Sequence, residues 1–167
     1  MKNTKENKLV LVLSLACVVA VIVMIVSLCM PKEAEQKSFV PPPFDDGAAV
    51  GEPTVPDHLG YSILYQEGMS FKVGICGKIN VTNGSADVYL TNVSENNVWL
   101  KVRFYDRSGD IVGESGLIKP GEYLQSVTLN DISDTDNITV KVMSYEPDTY
   151  KSMGAITLNP KISILTT

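Results

Sequence analysis

Hydrophobic and polar positions follow two different rules along this chain. Residues 9–30 read LVLVLSLACVVAVIVMIVSLCM without a charge, and Lys2, Lys5 and Lys8 precede them. A helix needs about twenty apolar residues to cross a bilayer core, and lysines on its amino side keep that end in the cytoplasm. The expectation is a basic cytoplasmic tail over residues 1–8 and a single-pass anchor over 9–30, with the rest of the chain extracytoplasmic at the cell membrane. A cleaved signal peptide fits less well, because its apolar core is about 7–15 residues long and ends in small residues. Lipidation also fits poorly, since Cys17 lies in the middle of the run and Leu28 is bulky for the position before a lipidated Cys29.

Beyond residue 60 the period changes to two. Short alternating segments broken by turn signals indicate half-buried strands. Seven are expected: an interrupted segment over 71–81, then 86–92, 98–106, 110–113, 123–129, 138–145 and 155–165. In 98–106, Val98, Leu100, Val102 and Phe104 share one face, and Trp99, Lys101, Arg103 and Tyr105 share the other. Ala86, Val88 and Leu90 point inward by the same rule, as do Phe71, Val73, Ile75, Ile79 and Val81, which turns Cys76 off the core face. Gly109 is placed where a hairpin turn with a bulge needs φ > 0. Lys119-Pro120-Gly121 reads as a second turn, with glycine at the left-handed position. The fold class that follows is all-β: an immunoglobulin-like antiparallel β-sandwich over 61–167, with no amphipathic helix after the anchor.

Between anchor and strands, residues 31–60 carry six prolines and little periodicity. Proline lacks an N–H and fixes φ, so this segment is expected to be an extended linker. His58, the only histidine, lies in it and has no second ligand or catalytic partner nearby. Its Pro41-Pro42-Pro43 run lacks the basic flank of a proline-recognition motif and is better read as spacer.

Composition narrows the classes. Three lysines against Glu6 leave the first eight residues at +2, so with a formal net charge of −5 the remainder carries −7. An acidic domain of this kind is not built for nucleic acid, which demands basic patches. Of three cysteines only Cys76 lies outside the apolar run, so no intrachain disulfide closes there, although a bridge to a second chain remains open to it.

Residues 87–128, containing YLTN, VWLKVRFYDRSGDIVGE and LIKPGEYLQSV, resemble the FxLYD-type and related immunoglobulin-like domains of membrane-anchored Gram-positive surface proteins. Here Tyr105 follows Phe104 directly, without the intervening residues of the full signature. The resemblance implies a domain without enzymatic residues, held outside the cell behind one anchor or lipid.

The candidate binding face consists of Tyr89, Trp99, Lys101, Arg103 and Tyr105, expected on the non-core side of two neighbouring strands. Exposed aromatics beside arginine are what interface anchors are made of. A protein partner at the cell surface is expected, with carbohydrate or cell wall as the alternative ligand and a structural spacer as the third reading. No catalytic residue, cofactor or metal is expected. The acidic loop over 131–137 lacks the glycine and distal glutamate of a twelve-residue calcium loop. The sequons at Asn80, Asn83, Asn92 and Asn137 are read as turn and strand polar residues. With no histidine in the domain no ordinary triad assembles. A hydrolase would need Asp106, Asp110, Glu114 and Glu122 to converge on one cleft.

Overall fold

The computed structural model describes residues 3–29, 39–130 and 137–165, which fall into two compact units divided between Val40 and Pro41. In the first, helix α1 spans Asn3–Cys29, 27 residues, and the side chains described in it, 11–25, are all exposed. Residues 9–29 of the segment expected as an anchor lie within this helix, and residue 30 lies outside the described residues. Among the described residues no helix is long and apolar enough to cross a membrane.

The second unit is built from strands β1 (Ala49–Val50), β2 (Tyr61–Leu64), β3 (Val73–Cys76), β4 (Lys78–Thr82), β5 (Ser85–Asn92), β6 (Trp99–Tyr105), β7 (Ile111–Glu114), β8 (Glu122–Thr128), β9 (Thr139–Tyr145), β10 (Ser152–Leu158) and β11 (Lys161–Leu165). Seven form one sheet in the order β1-β8-β5-β3-β2, with β4 also on β5 and β11 on β4; the other four run β10-β9-β6-β7. Alternate residues of both sheets meet in one core. Val73, Ile79, Val88 and Leu90 come from the larger sheet, and Leu100, Val102, Phe104, Val140 and Val142 from the smaller, each fully buried. The inward positions expected on residues 71–81, 86–90 and 98–104 are therefore the core positions.

The turns have their expected chemistry. Gly109 and Gly121 sit at φ 86° and 79°, a region in which only glycine escapes a Cβ clash. Asp106 stiffens the first turn, its Oδ1 accepting from the N–H groups of Ser108 and Asp110 at 2.8 and 2.9 Å. Asn83 and Gly84, at φ 50° and 77°, make the β4–β5 hairpin, for which Asn-Gly is the favoured pair.

Four expectations need correction. The linker does not reach residue 60, because the compact unit begins at Pro41. Residues 43–45 add to the edge formed by Gly116 and Leu117: Leu117 N donates to Pro43 O, Asp45 N to Leu117 O, and Gly116 N to Asp45 Oδ2. Next β1 pairs with β8, and Leu59 then packs against Cys76 and Tyr89. Proline permits all this, since a strap lying along an edge can spare alternate N–H groups. Second, the strand expected over 155–165 is two, broken at Asn159-Pro160: β10 pairs with β9 in the smaller sheet, while β11 crosses to β4 in the larger. That last pairing is parallel, so the sandwich is not purely antiparallel. Third, the segment over 71–81 is divided at Gly77 into β3 and β4, and β1 and β2 were not foreseen. Fourth, β5 and β6 are in different sheets, which separates Tyr89 from the rest of its expected face. The calcium-loop candidates of 131–136 lie outside the described residues.

Candidate functional site

Period two sends Trp99, Lys101, Arg103 and Tyr105 to the outer face of the smaller sheet, as expected. Their cross-strand neighbours on β9 are Tyr145, Met143, Lys141 and Thr139. The face is organised in two parts. Around Trp99, Phe44 of the strap meets the indole edge-on, with ring centroids 4.8 Å apart at 78°. Tyr150, from the β9–β10 turn, approaches to 5.1 Å at 60°, and Lys119 Nζ lies 4.6 Å from the Phe44 centroid. Tyr150 and Asp148 both take positive φ, 56° and 66°, in a turn closed by Glu146 N donating to Lys151 O and Tyr150 N donating to Glu146 O.

The second part is ionic. Glu114 of β7 stands opposite Arg103 in the ladder, and its two oxygens receive Lys101 Nζ at 3.0 Å and Arg103 Nε at 2.7 Å. Burial works to raise the Glu114 pKa, but hydrogen bonds from Lys101 and Arg103 outweigh it and hold the carboxyl below its ordinary value. Burial likewise opposes the charge of Arg103, yet its bonds to Glu114 and Tyr105 keep the guanidinium pKa above the usual value. Lys101 departs from expectation in exposure: it leaves from the outer face but only 4% of it reaches solvent.

Tyr89 is on the other sheet altogether. A bulge between Asp87 and Leu90 shifts the β5–β8 register, and Tyr89 at φ 47° packs with Leu59 and Cys76 in a second, smaller cluster on the outer side of the larger sheet. Burial first, and the Asp87 charge second, raise its phenol pKa. Cys76 is thus off the main core face as expected, but covered. Burial, helped by Asp87, pushes its thiol up to about 11. Cys76 is not presented to a second chain. In native protein at about pH 8, iodoacetamide is expected to leave the Cys76 peptide unmodified, by mass spectrometry, under conditions that label it fully in urea. Rapid labelling without urea would mean that residues 55–60 do not cover it.

Three of the four carboxylates of the hydrolase reading do separate jobs. Asp106 holds its turn, Glu114 binds two cations, and Glu122 accepts from Lys119 N at 2.7 Å in the Pro-Gly turn. Among the described residues no His/Cys/Asp/Glu group is arranged to hold a metal ion. The sequon residue Asn92 is fully buried, its amide engaged with Val98 O, Ile118 O and Asn96, so the folded domain does not offer it for modification.

Sequence reasoning missed Phe44 and Tyr150. The aromatic after three prolines was a signal, because a spacer has no use for one, but its contact with Trp99 depends on tertiary pairing. A groove of about 360 Å³ on the larger sheet, lined by Val50, Tyr61 and Ile63 among others, was missed as well. Its strap wall fell in the supposed linker.

No protein-family model matches the chain, and neither a curated protein nor a solved structure matches it significantly.

Proposed function

We propose that this chain is a membrane-anchored, extracytoplasmic, noncatalytic binding protein that displays an immunoglobulin-like β-sandwich and engages a protein partner through the outer face of its smaller sheet. The anchor rests on the uncharged run over 9–30 with its preceding lysines, together with the helical backbone of α1 over Asn3–Cys29. The likeness of residues 87–128 to FxLYD-type domains supports the same location.

The observation that carries the binding reading is the Phe44–Trp99–Tyr150 cluster set beside the Lys101–Glu114–Arg103 network. Rigid aromatics next to an oriented guanidinium lose little conformational entropy on docking, and such groups dominate interface energetics. A protein surface suits this face better than a stacked sugar. Phe44 and Tyr150 already occupy parts of the indole that a sugar ring would need.

The test is proximity crosslinking on intact cells with a membrane-impermeant reagent, comparing wild type with a Trp99→Ala, Arg103→Ala double variant whose melting is checked in parallel. One reproducible protein partner captured by the wild type and lost by the folded double variant is the expected result. Equal capture by both would remove the site from this face. Labelling of the domain only after lysis would overturn the topology.

A further inference from the structure

We infer that residues 43–47 of the strap are a latch on the Trp99 face: seated, they complete the aromatic cluster with Phe44, and load on the chain that enters this unit at Pro41 lifts them off and dismantles it. The effect on binding rests on the reading of that face proposed above. The latch itself rests on the strap and the edge beneath it.

The first observation is how lightly the segment is held. Leu117 N donates to Pro43 O and Asp45 N to Leu117 O, each at 2.9 Å, and Gly116 N donates to Asp45 Oδ2 at 2.7 Å. No residue of 43–47 is buried, and Phe44 packs on Trp99 and Lys119 rather than in either buried cluster. Short, exposed pairings of this kind open locally at a fraction of the free energy of core strands. The second observation is that the edge is shaped to receive the strap. A Cβ on Gly116 would stand 2.5 Å from Asp45 N and 2.6 Å from Asp45 Cα, and Gly116 is not one of the glycines at positive φ. Its own backbone thus has no need of glycine; the close approach of the strap does. The third is a stop. Ala48 packs against the main core and β1 pairs with β8, so lifting ends there and the sandwich stays closed. Partner docking on the cluster and seating of the strap then favour each other by the same factor, and load on the entering chain opposes both.

Trp99 is the only tryptophan of the chain, so its fluorescence reports the latch directly. In the full chain in nonionic detergent, acrylamide quenching is expected to rise about twofold in Gly116→Ala and in Phe44→Ala, and no further in the double variant, because both changes uncover the same ring. Cys76 stays unlabelled without urea in all of them, which shows the sandwich folded. Asp45→Ala, which adds no atom, moves the quenching in the same direction. In optical tweezers, with the wild type held by its two ends, a reversible low-force step of about 1.5 nm is expected, five residues at about 3.3 Å each. Gly116→Ala loses that step. In the crosslinking experiment on cells, Gly116→Ala, with Trp99 and Arg103 intact, captures the partner about fivefold less than the wild type, the low end of ordinary coupling between sites. Wild-type quenching in Gly116→Ala, a further rise in the double variant, a step that survives Gly116→Ala, or equal capture overturns the inference and leaves the Trp99 site standing. No partner captured by the wild type overturns the binding reading and the inference together.

Discussion

Replacing Asn92 by leucine is expected to destabilise the sandwich by about 3 kcal/mol, although the two side chains are close in size. Asn92 is fully buried at the end of β5. Its Nδ2 donates to Val98 O at 2.8 Å and to Ile118 O at 3.0 Å, and its Oδ1 accepts from Asn96 Nδ2 at 2.7 Å. Asn96 in turn brackets Lys72, accepting from its N–H and donating to its carbonyl. One amide therefore joins the end of β5 in the larger sheet to the start of β6 and to the segment before β8. Leucine leaves the buried Val98 carbonyl without this donor and Asn96 without its acceptor. Ile118 O keeps the Leu100 N–H, so the loss falls short of three full desolvation penalties. Asn92→Asp makes the sharper comparison: it preserves shape but turns two donors into acceptors facing carbonyls, and is expected to cost at least as much. Near-UV circular dichroism on heating should show a fall in Tm of about 10 °C for each variant. An Asp variant that melts with the wild type would show that this network does not hold the sheets together.

The core was legible because its rule is local. Alternation in 98–104 names Val98, Leu100, Val102 and Phe104, and all four are at most 2% exposed. Gly109 and Gly121 were legible for the same reason, since each answers to its immediate neighbours. The strap was not, because composition and contact disagree there. Prolines at 41–43, 53 and 56 argue for extension, and the segment is extended, but extension also suits a strand lying along a sheet edge. What binds it is the hydrogen bonding of Pro43 and Asp45 with Gly116 and Leu117, about seventy residues away in sequence and without a local signature. Lys101 shows a related limit. Parity determines the face from which a side chain leaves but not how much of it water reaches, and that depends on Glu114 arriving from β7. Tyr89 was misplaced because one bulge, which no turn residue announces, lies within β5, and because the sheet to which a strand belongs is a tertiary fact.

Lys101 and Glu114 supply the second large effect, expected to show as a rescue. The Lys101 side chain is 5% exposed and that of Glu114 42%, so removing the carboxylate leaves a nearly buried ammonium without its counter-charge. Breaking a fully buried pair costs about 3–5 kcal/mol; solvent access to Glu114 screens part of this, and Glu114→Ala is expected to cost about 2 kcal/mol. Lys101→Met, which keeps the long stem and removes the charge, should be nearly neutral, because it deletes the desolvation penalty together with the pair. In the double variant most of the Glu114→Ala loss should disappear, leaving at most about 0.5 kcal/mol relative to Lys101→Met. Urea denaturation of the four proteins closes the cycle, and a double variant as unstable as Glu114→Ala alone would assign the loss to packing around β7 rather than to an unpaired charge. Acid provides an independent reading. The folded pKa of Glu114 is lowered, so its contribution is complete above the unfolded carboxyl value of about 4.3 and is lost as pH falls through the folded value. Wild type should therefore lose stability more steeply than Glu114→Ala on acidification through that window. Arg103 adds no opposing slope, since its raised pKa keeps it charged throughout.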